Sequence, residues 1–125
     1  MLMTKNPTQQ IKRNKITLDA SGQVVGRMAS HVAMILMGKN KPDYRPHIDT
    51  GDKVVITNIS ELRFTGNKLE QKMYRHHSMH PGGLKSKPAK EVAKEDSRQI
   101  LMRAVNKMLP KNKMRTARLL RISFK

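Results

Sequence analysis

The spacing of apolar residues in the first half of the chain most constrains its fold. Between residues 23 and 37, two series recur every fourth position and predict a helix with a broad apolar face: Val24, Met28, Val32 and Leu36, with Val25, Ala29 and Ala33. Gly38 follows as a C-terminal cap would. Residues 15–19 before this helix and 52–58 after it have strand-like composition, and residues 54–56 form a β-branched run typical of a strand buried on both faces. The order strand, helix, strand predicts a βαβ unit.

The second half of the chain predicts further short elements. Residues 62–65 predict a strand, and residues 75–87 predict a loop because they show no period. Pro88 is expected in the first turn of a short helix, and Asp96 or Ser97 caps a longer helix from 98 to 108 that Pro110 ends. A helical turn at 113–118 then precedes a strand at 120–124. The pattern predicts an α/β fold with a mainly parallel sheet over residues 15–125.

Positive charge is the strongest indication of function. The 125 residues include 26 Lys and Arg but only 9 Asp and Glu, which gives a net charge of +17. Nine of the Lys and Arg follow Asp96, after which the sequence contains no acid. A charge of this size repels itself in a compact fold and favours a polyanionic partner, for which nucleic acid is the leading candidate.

Several other classes of protein are disfavoured. The sequence has no Cys, which excludes disulfides and thiolate chemistry, and no run of about 18 apolar residues that would span a bilayer. Residues 1–14 lack an apolar period and predict a flexible basic arm, which is favoured over a mitochondrial targeting segment. We expect no cofactor, no small-molecule substrate and no membrane partner.

The segment from Tyr74 to Lys85 contains three histidines that could suggest a metal site. His76 and His80 have the spacing of zinc ligands on a helix, but the Pro81-Gly82-Gly83 sequence disfavours a helix and no acid lies between them. An RNA surface is the favoured interpretation, because glycine lets the backbone approach phosphate and His and Tyr rings stack on unpaired bases. Tyr44 and Arg45, between two prolines, suit the same role.

Two other patterns resemble catalytic or cofactor motifs. Residues 22–26 match part of a dinucleotide fingerprint but lack its glycine spacing, so Gly26 is expected to permit close packing of helix on sheet. Asp49 and Asp52 flank Gly51 without a nucleophile or a phosphate-binding loop nearby. We interpret them as loop residues, and the chain as a protein without catalytic activity.

Several stretches of the chain, in order and in register, match a known family. They are residues 19–22, 26–29, 38–52, 65–68, 74–77, 82–85 and 108–111. Over roughly residues 15–124 the chain resembles the large-subunit ribosomal protein 13 family in its bacterial and organellar form. It departs from the family pattern at Met79, Pro81, Lys107 and residues 114–116. Contacts that the family's C-terminal extension makes are not carried over.

The resemblance implies a three-layer α/β/α domain around a four-stranded parallel sheet, and a role in binding large-subunit ribosomal RNA early in assembly. It also implies neighbouring ribosomal proteins as partners and a location in a cytoplasmic or organellar ribosome. A free-standing RNA-binding regulator of translation is the alternative. Charge, loops and resemblance together predict these RNA-binding residues: Lys39, Lys41, Tyr44, Arg45, Lys68, Lys72, Tyr74, Arg75, His76, His77, His80, Gly82, Gly83, Lys85, Lys87, Lys107, Lys111, Lys113, Arg115 and Arg118.

Overall fold

The computed structural model describes residues 12–125, so residues 1–11 of the predicted arm lie outside the described residues. A 3-10 turn at Ile59–Glu61 accompanies ten helices and strands, which in chain order are β1 (Lys15–Asp19), α1 (Val25–Met37), β2 (Lys53–Thr57), α2 (Lys68–Gln71), β3 (Met73–His77), β4 (Leu84–Pro88), α3 (Ala89–Glu95), α4 (Ser97–Met108), α5 (Met114–Leu120) and β5 (Ile122–Phe124).

A parallel sheet with the strand order β1-β2-β5 organises the fold. Both pairings of the central strand β2 are parallel, with Ile16 beside Val54 and Val54 beside Ile122. Val54 and Ile56 on one face of β2 are fully buried, and Val55 on the other face is buried as well. The chain is thus a single mixed α/β domain, and the prediction that its central strand is covered on both faces is confirmed.

The predicted four-stranded sheet is not confirmed. Residues 62–65 make one isolated parallel bridge, between Arg63 and Val24, instead of a strand. Arg63 N–H donates to Gln23 O at 2.9 Å, and Val25 N–H donates to Arg63 O at 3.1 Å. Because α1 begins at Val25, the pairing cannot extend further along that side.

The prediction of a loop over residues 75–87 is wrong, because this segment forms an antiparallel hairpin of β3 and β4. Ser78 N–H donates to Gly83 O, and Gly83 N–H donates to His80 O, both at 2.9 Å. Pro81 and Gly82, the latter with φ +71°, occupy the central positions of this turn, a sequence typical of type II. Most residues of the hairpin are exposed, which explains why no burial period marks it.

The main core lies between α1, α4 and the sheet, where Met28, Val32 and Leu36 of α1 pack with Leu101 and Val105 of α4.

The helix ends follow the predicted chemistry. Gly38 has the left-handed φ of +77° after α1, and the Asp96 carboxylate accepts a hydrogen bond from Arg98 N–H at 3.0 Å before α4. Met108 is 42% exposed, although the sequence predicted it on the inner face of α4. Every helix within residues 12–125 is too short or too polar to cross a bilayer.

Candidate nucleic-acid interface

The loop of residues 39–50, at the C-terminal end of α1, is tied to the sheet through Asp52. The carboxylate of Asp52 is almost fully buried and accepts a hydrogen bond from Asn14 N–H at 3.0 Å. Lys41 Nζ lies 2.8 Å from Asp52 Oδ1 and donates to Thr50 O at 2.7 Å. Lys41 therefore stabilises the loop, whereas Lys39 and Arg45 are exposed and Tyr44 is half-buried.

Asp49 is the centre of a second set of ion pairs at this end of α1. Arg121 donates to its two carboxylate oxygens at 2.6 and 2.8 Å, while Arg118 Nε lies 3.5 Å and Arg13 Nη2 3.7 Å away. Burial raises the pKa of the Asp49 carboxyl, but the hydrogen bonds and charge of Arg121 and the charges of Arg13 and Arg118 outweigh burial. The pKa of Asp49 is consequently below its usual range, and the carboxylate stays charged.

Residue 51 is glycine because the loop passes against the last turn of α1, next to Arg121. Arg121 Nη2 donates to Leu36 O at 2.6 Å, across the last turn of α1. A Cβ on Gly51 would lie 1.7 Å from that same carbonyl oxygen and 2.8 Å from Arg121 Nη2. Only glycine lets the loop pass this close to the helix.

Arg118 requires a correction to the predicted RNA-binding set. Its side chain is among the largest fully buried ones, with 1% of the residue exposed, and it faces Asp49. A guanidinium in this position is part of the fold and does not present itself to a phosphate. Lys111 and Lys113, which precede it, are exposed, and Arg115 is half-buried.

At the N-terminal end of α1, an open cavity of about 200 Å³ brings together three predicted RNA-binding residues, Lys68, Lys72 and Lys107. Arg63 also lines this cavity, and none of the four cations forms an ion pair with any residue in the range 12–125. Phe64 supplies an apolar wall. We call the cavity that Arg63, Phe64, Lys68, Lys72 and Lys107 line the α1 N-terminal cavity.

Gly26 forms part of that cavity, which corrects its predicted role. A Cβ built on Gly26 would meet no atom of the described part of the chain within 4 Å. Close packing of helix on sheet therefore does not require glycine here, and its missing side chain leaves the cavity open.

The hairpin places its predicted residues on two faces. Tyr74 lies opposite Lys87 and His76 lies opposite Lys85, so these four share one face. Near the root, Lys87 pairs with Glu95 of α3, and the Tyr74 ring lies 4.7 Å from the Arg103 guanidinium and 5.4 Å from Lys72 Nζ. Burial raises the pKa of Tyr74, although the charge of Arg103 acts in the opposite direction. Arg75 and His77 point to the other face.

The three histidines of the hairpin do not converge. His76 and His77 are neighbours in one strand and point to opposite faces, and His77 Nδ1 accepts a hydrogen bond from Met79 N–H at 2.9 Å. Across residues 12–125, no group of three His, Asp or Glu side chains is placed to hold a metal ion. His80 and Gly82 are exposed at the tip.

Gly83 has a structural role at the hairpin tip. A Cβ there would lie 1.9 Å from Ser78 Oγ and 2.8 Å from His80 O. The turn itself accounts for this glycine, whereas the space beside Gly82 is open.

The predicted RNA-binding residues thus fall into separate groups. Residues 39–45 follow the C-terminal end of α1, where Arg118 lies beside Asp49. The cavity lies at the N-terminal end, about 20 Å away for a helix of 13 residues, and Lys72 on its lining contacts the end of the hairpin through a hydrogen bond from Ala89 N–H. No sequence pattern indicated that Arg63 lines a cavity or that Asp49 is the centre of several ion pairs. The only signal for Asp49 was an acid within a strongly basic sequence.

Comparison with known proteins gives a consistent result. A family model described as Ribosomal protein L13 matches residues 13–124. A large ribosomal subunit protein uL13 from Clostridium tetani is 52% identical over 103 residues, which cover 82% of this chain and 72% of the relative. Proteins of the same name from Spiroplasma citri and Thermotoga maritima are 50% and 47% identical, each over 105 residues, 84% of this chain and 72% and 70% of the relatives.

Proposed function

The chain belongs to the ribosomal protein L13 family, a family of structural proteins and not of enzymes, and on that premise we propose that it binds large-subunit ribosomal RNA and supports early assembly of that subunit. The relatives are named as proteins of the large ribosomal subunit. Neighbouring ribosomal proteins would be its other partners.

The observation that supports RNA binding is the number of cations left without a carboxylate partner. Lys5 is the one Lys or Arg outside residues 12–125, so 25 of the 26 lie within that range. Five of these 25 form ion pairs there. In an isolated protein the remaining charges would repel one another. Phosphate groups would neutralise them and release the counterions condensed on the RNA.

The proposed contact set is narrower than the sequence predicted. The exposed members of the set would contact RNA: Lys39 and Arg45 after the C-terminal end of α1, Lys68, Lys72 and Lys107 at the cavity, Lys111 and Lys113 between α4 and α5, and Arg75, His76, His77, His80, Gly82 and Lys85 on the hairpin. Tyr44, Arg115 and Lys87 are half-buried and would contribute at the edges. Arg118 and Gly83 are left out because the fold accounts for them, and Lys41 and Tyr74 would act mainly by holding their neighbours.

The test is to measure binding of the full chain to large-subunit and small-subunit ribosomal RNA of the same organism by filter retention. If six to ten phosphates are contacted, affinity for the large-subunit RNA should fall by about 10³–10⁵ between 50 and 200 mM salt. Equal affinity for both RNAs would contradict the proposal.

Sedimentation distinguishes a subunit component from a free-standing regulator. The protein should remain with large subunits through a high-salt wash, because contacts made during assembly become enclosed. Recovery of all the protein at the top of the gradient, with RNA binding intact, would favour the regulator.

Omission of the chain from a reconstitution should lower the yield of early large-subunit particles, and an unchanged yield would contradict the assembly role.

A further inference from the structure

We infer that the α1 N-terminal cavity holds one unpaired nucleotide of the bound RNA, with its base inside the cavity and its phosphate at the cationic rim. This inference rests on the proposed function and adds to it a site and a class of ligand.

Charge at the rim matches a phosphate. Arg63, Lys68, Lys72 and Lys107 all line the cavity and all are exposed. They come from three separate segments of the chain, since Lys68 and Lys72 lie at the two ends of α2, and the fold has brought these segments to one opening. No acidic residue of the range 12–125 lines the cavity, so a bound anion would meet cations without competition from a carboxylate there.

The walls match a base. Phe64 is half-buried and lines the cavity, beside Val25 and the flexible side chain of Met108. Aromatic rings stack on bases, and unpaired bases are the parts of RNA that proteins take into pockets. The volume of about 200 Å³ lies below the roughly 300–1,000 Å³ of sites for larger ligands, which suits one base.

Two residues that the predicted fold does not explain find a role here. Met108 was expected in the core but is 42% exposed, and it lines the cavity. Gly26 was expected to allow close packing, yet a Cβ at this position would have open space around it among residues 12–125. The exposed apolar side chain of Met108 and the absence of a side chain at Gly26 lie at the same opening. Together they leave room for a flat apolar group beside α1.

The test fills the cavity without removing a charge. Gly26→Leu adds a side chain where the structure has space and replaces glycine within a helix by a stronger helix former, so the fold should remain intact. Gln99→Leu is the control, because it places the same leucine side chain at an exposed position of α4 outside the cavity. Phe64→Leu is a second, independent variant that keeps apolar bulk but removes the ring. Thermal unfolding of each variant reports on folding.

The measurement is base-specific chemical probing of large-subunit ribosomal RNA with and without each protein. The unmodified chain should protect one unpaired base that becomes reactive again with Gly26→Leu and with Phe64→Leu, while the rest of the footprint stays. Affinity should fall about tenfold for Gly26→Leu and remain unchanged for Gln99→Leu. Identical footprints and affinities for all four proteins would overturn the inference and leave RNA binding itself standing.

A second arm separates RNA from free nucleotides. The four nucleoside 5′-monophosphates are titrated against the unmodified chain by calorimetry, with no saturable binding expected below millimolar concentration. Saturation in the micromolar range that Gly26→Leu abolishes, without any change in the RNA footprint, would assign the cavity to a free nucleotide and overturn the inference. Failure of the unmodified chain to bind RNA would instead show that the proposed function is wrong.

Discussion

The two ends of α1 both gather cations, but the fold uses them differently. At the C-terminal end, Asp49 and Asp52 pair with Lys41, Arg118 and Arg121, and most of these groups are largely shielded from water. At the N-terminal end, the cations of the cavity have no such partner among residues 12–125. The same residue types therefore stabilise the fold at one end and are free to bind a polyanion at the other.

The largest loss of stability should come from removing the negative charge of Asp49 at the C-terminal end of α1, where the cations are paired. Asp49→Asn leaves Arg13, Arg118 and Arg121 without a counter-charge. We expect the free energy of unfolding to fall by about 2–3 kcal/mol, somewhat below the range for fully buried pairs because the Asp49 side chain is 16% exposed. Urea unfolding checks this. Asp43→Asn, an exposed position in the same loop, is the control, and equal stability of the two variants would contradict this account.

The same cluster predicts a dependence on pH. Because the folded-state pKa of Asp49 is lowered, its stabilisation is complete above the ordinary pKa of about 3.9 and is lost as pH falls through the lower folded-state value. The stability difference between the unmodified chain and Asp49→Asn should be constant from pH 7 to about pH 5 and then narrow below about pH 4. A difference that stays constant to the lowest pH at which both proteins fold would show that the charge of Asp49 is not its source.

A smaller loss of stability should distinguish Lys41 from Lys107, which the sequence analysis both predicted to bind RNA. Lys41→Gln deprives the buried Asp52 of its ion pair, so we expect a loss of about 1–2 kcal/mol in stability. Lys107→Gln should change stability by less than about 0.5 kcal/mol, because its side chain has no partner in the described chain. It should instead weaken RNA binding and make the salt dependence shallower by about one unit. A loss of stability in Lys107→Gln and a loss of RNA binding alone in Lys41→Gln would contradict the difference between the two ends of α1.

Local sequence patterns predicted the paired end of α1 and the sheet beside it well. β1 has the predicted bounds, and the cap at Gly38 and the burial of residues 54–56 follow from rules that act within a few residues. The hairpin was missed because both its faces are largely exposed, so its pairing depends on backbone hydrogen bonds that leave no apolar alternation.

The candidate site was harder to predict because the role of a cation depends on distant residues. Nothing near Arg118 in the sequence distinguishes it from Lys111 or Arg115. Its burial follows from Asp49, almost seventy positions earlier, which the fold brings beside it. Gly83 and Gly82 likewise differ only through their neighbours in space. Composition thus indicated a polyanionic partner, whereas the choice of cations required the structure.

The most direct test of the central claim is the salt dependence of RNA binding in two variants with equal loss of charge. The first changes Lys68, Lys72 and Lys107 to Gln, and the second changes Lys15, Lys90 and Lys94, which are exposed and outside the predicted set. If the unpaired cations of the cavity contact the phosphate of the held nucleotide and those of its neighbours along the RNA, one phosphate for each lysine, the slope of log affinity against log salt should become shallower by roughly two to three units in the first variant, at about 0.7–0.9 per phosphate. The second variant should keep the slope of the unmodified chain. Equal slopes in both variants would contradict the claim, because only the net charge would then matter.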